Sequence, residues 1–139
     1  MTNQFPVRLT PDGEGYLVQF PDVPEAITYG ASREEALEMA QDALITALEF
    51  YFEDLRKVPI PSPVKEGDYF IDLPASTAVK VHLLNEMIAQ HIKQVDLAKR
   101  MRLSPTQVNR MVNLRQATKI DTLNDAFKAL GKRLEFVVA

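Results

Sequence analysis

The sequence predicts an α+β domain followed by an all-α domain. Three observations carry that prediction. Two alternating apolar runs joined by turn residues precede one long segment of 3/4 periodicity, a proline-rich stretch follows, and beyond it the apolar spacing is helical. The charge divides at the same place. Residues 1–74 hold 5 Lys+Arg against 14 Asp+Glu, a net −9, while residues 75–139 hold 11 against 5, a net +6. Such polarity suits a basic partner for the front and a polyanion for the back, or attraction between the halves themselves.

Each element has a local cause. "FPVRLT" places Phe5, Val7 and Leu9 on one face, "PDGEG" supplies a turn, and "YLVQF" returns with Tyr16, Val18 and Phe20, so a β-hairpin is expected. A third short strand runs through "AITY". Ser32 with Glu35 three residues on is a capping-box start. The helix it opens carries Ala36, Leu37, Ala40, Ala43, Leu44, Ala47, Leu48 and Tyr51 inward and Glu34, Glu38, Asp42 and Glu49 outward. "KVPIPSPVKEGD", residues 57–68, reads as a linker or wrapped connection, because its three prolines cannot donate ladder or helix hydrogen bonds. "YFIDL" then supplies a further strand, completing a β-β-β-α-β order for residues 1–74.

Residues 75–139 read as helices. "ASTAVKVHLLNEMIAQHI" (75–92) has an apolar face at Val79, Leu83, Leu84 and Met87. "IDTLNDAFKALG" places Leu123, Ala126, Phe127 and Leu130 inward, with Gly131 as its stop. Between them, "VDLAKRM" puts Leu97, Ala98 and Met101 on one side, and Leu103 closes a joint. Ser104 caps the next helix, Pro105 occupies its first turn, and Gln107 completes Ser-x-x-Gln, with Val108, Met111 and Val112 inward. Two helices across so short a turn form a helix-turn-helix unit, although a plain helical bundle uses similar patterns. The last residues, "LEFVV", are expected to form a short strand that needs a partner in the front sheet or in a second copy.

The outward residues of this unit favour a nucleic-acid surface. Thr106, Gln107, Asn109, Arg110 and Asn113 can all hydrogen-bond and none is acidic. Lys93, Gln94, Lys99, Arg100, Arg102, Arg115 and Lys119 surround them. A helix entering the major groove needs neutral and cationic groups, since base edges are read beside phosphates. Asp96 is the exception, in the first turn of its helix where the macrodipole favours an anion. Arg102 stands where such joints usually carry glycine, and a positive φ there costs on the order of 1 kcal/mol.

The C-terminal half, "QVDLAKRMRLSPTQVNRMVNLRQATKIDTLNDAFKALG", resembles the phage-repressor-like helix-turn-helix. The front combines "GYLVQFPDVPEAITYG", "REEAL" and "PIPSP" in that order. Together the two halves resemble the HicB antitoxins of bacterial HicAB toxin–antitoxin systems across essentially the whole chain. The resemblance implies a truncated ribonuclease-H-like front domain that binds and covers a HicA-type messenger-RNA-cleaving toxin, and a rear domain that represses its own operon. It also puts Thr106, Gln107 and Arg110 at base-reading positions, and Gln94 and Asn113 at phosphate-contacting ones; the neighbouring cations Lys93, Arg115 and Lys119 are expected to join them on the backbone. A homodimer through the C-terminal domain, with a homotetramer as the larger alternative, would read palindromic half-sites about 34 Å or a multiple apart. Arg110 to guanine and Gln107 to adenine are the natural chemical pairings.

Other classes fit poorly. No apolar run approaches the roughly 20 residues of a membrane span, and the N-terminus lacks the layout of a secretory signal. There are no cysteines, so disulfides and thiolate chemistry are excluded and a reducing cytoplasm is the expected setting. Nuclease chemistry needs converging carboxylates, yet "VRL", "YLVQF" and "AIT" carry none; Asp22, Glu25 and Asp72 are the nearest acids. His82 and His91, nine apart on one expected helix, point to opposite sides. No catalytic residue, metal or cofactor is therefore expected. The toxin-contacting residues within 1–74 are not legible, and the competing reading is a repressor whose front domain senses a small ligand.

Overall fold

The computed structural model describes residues 3–139 and divides them into two compact units. One comprises the front residues to Asp54 together with Val58–Pro74; the other comprises Leu55–Lys57 and Ala75–Ala139. The front unit is a four-stranded antiparallel sheet, order β3-β2-β1-β4, with one long helix packed on a single face. Its elements are β1 (Gln4–Asp12), β2 (Gly15–Gln19), β3 (Ile27–Gly30), α1 (Arg33–Glu53) and β4 (Tyr69–Asp72).

The hairpin closes at Asp12↔Gly15, with a positive φ at Gly13, the first of its two central residues. That is the requirement of a II′ turn, whose twist matches the strands it joins. β1 is shared unevenly: Arg8–Asp12 pairs with β2, while Gln4–Val7 pairs with β4. Pro6 therefore sits where the strand has one neighbour, opposite Phe70. Phe5, Val7, Val18 and Ile71 face inward and are buried against α1. A fully buried Val or Leu such as Val18, Leu44 or Leu48 contributes about 1.5–3 kcal/mol.

α1 starts as its sequence demands. Ser32 Oγ accepts the Glu35 amide at 3.1 Å, and Glu35 Oε2 accepts the Ala31 amide at 2.8 Å. The helix lies so close to β3 that a Cβ on Gly30 would meet the backbone of Ala36 at 2.4 Å. Ile45 joins the expected inward residues, whereas Leu37 and Ala43 are only half-buried. The connection after α1 is wrapped rather than loose. Val58 is buried, and Ser62 donates through its amide and hydroxyl to Asp22 at 2.9 and 2.6 Å.

The second unit contains α2 (Ala75–Ala89), α3 (Gln94–Met101), α4 (Pro105–Val112) and α5 (Ile120–Ala129). Leu83, Leu97, Val108 and Leu123, one from each helix, are fully buried at its centre. Two expectations are corrected. α2 ends at Ala89, so His91 lies beyond it in the left-handed region (φ 57) rather than on the helix with His82. The "LEFVV" segment belongs to no strand of the single chain, because all four strands of the sheet come from the front unit. Phe136, Val137 and Val138 are instead exposed. An isolated extended segment has no ladder partner to satisfy its amides.

Candidate nucleic-acid interface

α3 and α4 form the expected joint. Arg102 takes φ 58, ψ 41, and the Leu103 amide reaches back to the Ala98 carbonyl at 2.9 Å. An arginine thus occupies the position glycine normally fills at such a helix end. Ser104 Oγ accepts the Gln107 amide at 3.1 Å and Gln107 Oε1 accepts the Ser104 amide at 2.8 Å, a complete capping box with Pro105 in the first turn. Lys93 precedes α3, where Asp96 Oδ2 accepts its amide at 3.1 Å. The acid singled out in the sequence is thereby used as an N-terminal cap.

Thr106, Gln107, Asn109, Arg110 and Asn113 are all exposed, and Val108, Met111 and Val112 are buried behind them. Lys93, Lys99, Arg100, Arg102, Arg115 and Lys119 are exposed as well, and Gln94 is half-buried. Beside α4 an open groove of about 480 Å³ is lined by Gln107, Arg110, Gln116, Thr118, Lys119 and Thr122. Gln107, Arg110 and Lys119 therefore line one cationic and neutral groove within this unit. The capping box restricts Gln107: its oxygen is engaged by Ser104, leaving its amide N–H groups as donors. Bidentate pairing with adenine uses both ends of the amide, and the Gln107 oxygen keeps one lone pair for it beside the bond from Ser104.

One residue escaped the sequence analysis. Lys80 of α2 is buried, 1% exposed, and its ammonium donates to the Asn113 carbonyl at 2.6 Å and to the Gln116 carbonyl. Thr77, one turn earlier, donates to the Leu114 carbonyl at 3.4 Å. Burial lowers the Lys80 pKa from its usual value. The signal was present in "TAVKVHLL": a lysine with Val79, Val81, Leu83 and Leu84 around it sits inside an apolar helix, not on its face.

The front unit offers different surfaces. Glu34, Glu38 and Asp42 are exposed along the outer side of α1, with Glu49 half-buried further on. On the sheet face away from α1, Ile27 (57% exposed), Tyr29 and Phe70 are uncovered, with half-buried Leu17 between them. The acids of the "FPDVPEA" loop have structural uses. Asp22 holds Ser62, and Glu25 accepts the Tyr51 hydroxyl at 2.8 Å.

Comparison with known proteins identifies two families along the chain. Residues 4–82 match the family described as the HicB-like antitoxin of bacterial toxin–antitoxin systems, and residues 83–137 match a helix-turn-helix family. Antitoxin HicB 2 of Photorhabdus laumondii is 49% identical over 96% of this chain and 95% of its own length. Antitoxin HicB of Escherichia coli K12 is 48% identical over 97% of this chain and 99% of its own. Antitoxin HicB of Pseudomonas fluorescens is 36% identical over 81% of this chain and 78% of its own. No helix among the described residues is long and apolar enough to cross a membrane.

Proposed function

Because the chain belongs to the HicB-like antitoxin family and carries a helix-turn-helix domain, we propose that its front unit blocks a HicA-type messenger-RNA-cleaving toxin while its second unit represses their shared operon. It acts by binding and is not an enzyme. The observation that carries the DNA half is the surface of α4, where every outward polar residue is neutral or cationic over a buried apolar base. Thr106 and Arg110 would read base edges, with Gln107 contributing its free N–H groups. Lys93, Gln94, Asn113, Arg115 and Lys119 would hold the sugar–phosphate backbone.

The toxin half is supported by charge. A protein that cleaves RNA has to attract a polyanion, and the acidic side of α1 offers it a competing anionic surface. The exposed Phe136, Val137 and Val138 support a homodimer joined through the C-terminal segment, with a tetramer as the larger assembly. Such a dimer would read palindromic half-sites about 34 Å or a multiple apart. Operon DNA and messenger RNA are both cytoplasmic targets in a bacterium, and the chain would work there.

The test is co-purification. The chain is expressed with the short basic protein encoded beside it, one of the two is tagged, and the eluate is examined for both. Joint elution with loss of RNA cleavage is expected. Absence of a complex would sink the toxin assignment and leave a repressor with a ligand-sensing front unit.

A further inference from the structure

Four of the five helices among the described residues end alike. Leu55 (φ 51), His91 (φ 57), Arg102 (φ 58) and Gly131 (φ 75) each follow their helix in the left-handed region. After α2, α3 and α5 an amide two or three positions past the helix also reaches back to the last turn, from Ile92 to Met87, Leu103 to Ala98 and Lys132 to Phe127, each at 2.9 Å. These bonds satisfy the carbonyls that a helix leaves open at its C-terminus. α4 is the exception. The residue that follows it, Asn113, is extended at φ −70, ψ 120, and no left-handed residue comes after.

The Asn113 amide meets the Arg110 carbonyl at 3.2 Å, and the segment that follows is held from another helix. Lys80 takes the Asn113 and Gln116 carbonyls on one ammonium, and Thr77 takes the Leu114 carbonyl. The carbonyls of Asn113, Leu114 and Gln116 are thus drawn inward toward α2. The exposed side chains of Asn113, Arg115 and Gln116 are left on the outer side of the same loop. Asn113 Oδ1 accepts the Arg115 amide at 2.9 Å, and Thr118 Oγ1 donates to the Met111 carbonyl at 3.4 Å, so the loop closes on itself as well. A buried cation at the carbonyl end of a helix is favourable twice, through the bonds it donates and through the macrodipole.

We propose that Lys80 is a positioning residue for DNA binding: its buried ammonium latches the loop after the recognition helix so that Asn113, Arg115 and Lys119 are presented to the phosphate backbone. The inference rests on the DNA-binding role of α4 argued above. Lys80 is too buried to touch DNA itself, so any effect it has on the complex is transmitted through the loop.

The variant is Lys80→Met, which keeps the aliphatic stem and removes the ammonium; buried ions replaced by apolar isosteres commonly leave a fold intact. Binding of the full-length chain to a duplex from directly upstream of its own reading frame is measured across a salt series, with folding checked by circular dichroism. Wild type should bind, and Lys80→Met should bind about tenfold more weakly at 0.1 M salt. The dependence of log affinity on log salt should flatten by about 0.9 for each phosphate contact released. Amide exchange at residues 113–117 should rise while the α4 amides stay protected. A folded Lys80→Met with unchanged salt slope and unchanged exchange in the loop would overturn the proposal. Lost affinity with an unchanged slope would also overturn it, since that is the mark of general destabilisation. Should Lys80→Met fail to fold, Lys80→Gln, which keeps a shorter neutral donor, takes its place and should show the same flattening to a lesser degree. If wild type itself does not bind the duplex, the DNA role of α4 fails, and the exchange measurement still decides whether the latch exists.

Discussion

Arg110 is exposed in the middle of α4, backed by buried Met111 and free of any structural duty that the capping network imposes. Arg110→Ala should therefore weaken operator binding by about 1–3 kcal/mol while leaving thermal stability and toxin neutralisation unchanged. A titration of labelled operator beside a toxin-rescue assay separates the two effects. Gln107 is a harder case, because replacing it removes both a base-reading candidate and half of a helix cap. His82 makes a prediction about acid. Burial lowers its pKa in the folded chain below the usual 6.5, so the folded state holds fewer protons than the unfolded one. The resulting stability is fully present above about pH 6.5 and is lost as pH falls through the folded-state value. Chemical denaturation from pH 7.5 to 5 should show that decline, and His82→Gln should flatten it.

At the scale of elements, three helix ends place a side chain where glycine would be unstrained: Leu55, His91 and Arg102. Arg102→Gly should raise stability by about 1 kcal/mol in a denaturant melt, partly offset by the freer unfolded chain. Operator affinity should fall all the same, since a cation leaves the joint. The sequence made this position legible, because the Ser104–Gln107 box fixes where α4 starts and Leu103 fixes where the joint packs. The same local logic located α1 through Ser32 and Glu35, and the hairpin through its turn. What escaped is what depends on distant partners. Nothing in "PIPSP" says that Ser62 will meet Asp22, and nothing in α2 says that Lys80 will meet the loop after α4. Residues 75–92 read as one helix that includes His91, although the backbone turns at that residue first. The site itself divides in the same way. Exposed Thr106 and Arg110 followed from periodicity, whereas the latch behind Asn113 required the fold.

For the whole molecule, the natural cut falls after Pro74, because β4 belongs to the front sheet although it lies beyond the proline-rich connection. Residues 1–74 alone should bind the toxin and not the operator, as read by co-purification and gel shift. A folded 1–74 fragment that fails to bind toxin would refute the division of labour, while a cut before Tyr69 would fail for the separate reason that β1 loses a neighbour. That arrangement has a consequence during synthesis. Residues Gln4–Val7 leave the ribosome early, but the strand that pairs with them is made only after all of α1 and the connection. At about 5–20 residues per second the wait is on the order of seconds. Throughout it the nascent chain presents an unpaired strand in which Pro6 has no amide to offer a neighbouring chain. On a polysome carrying many such chains, that missing donor leaves a gap in any ladder between neighbours until β4 is made.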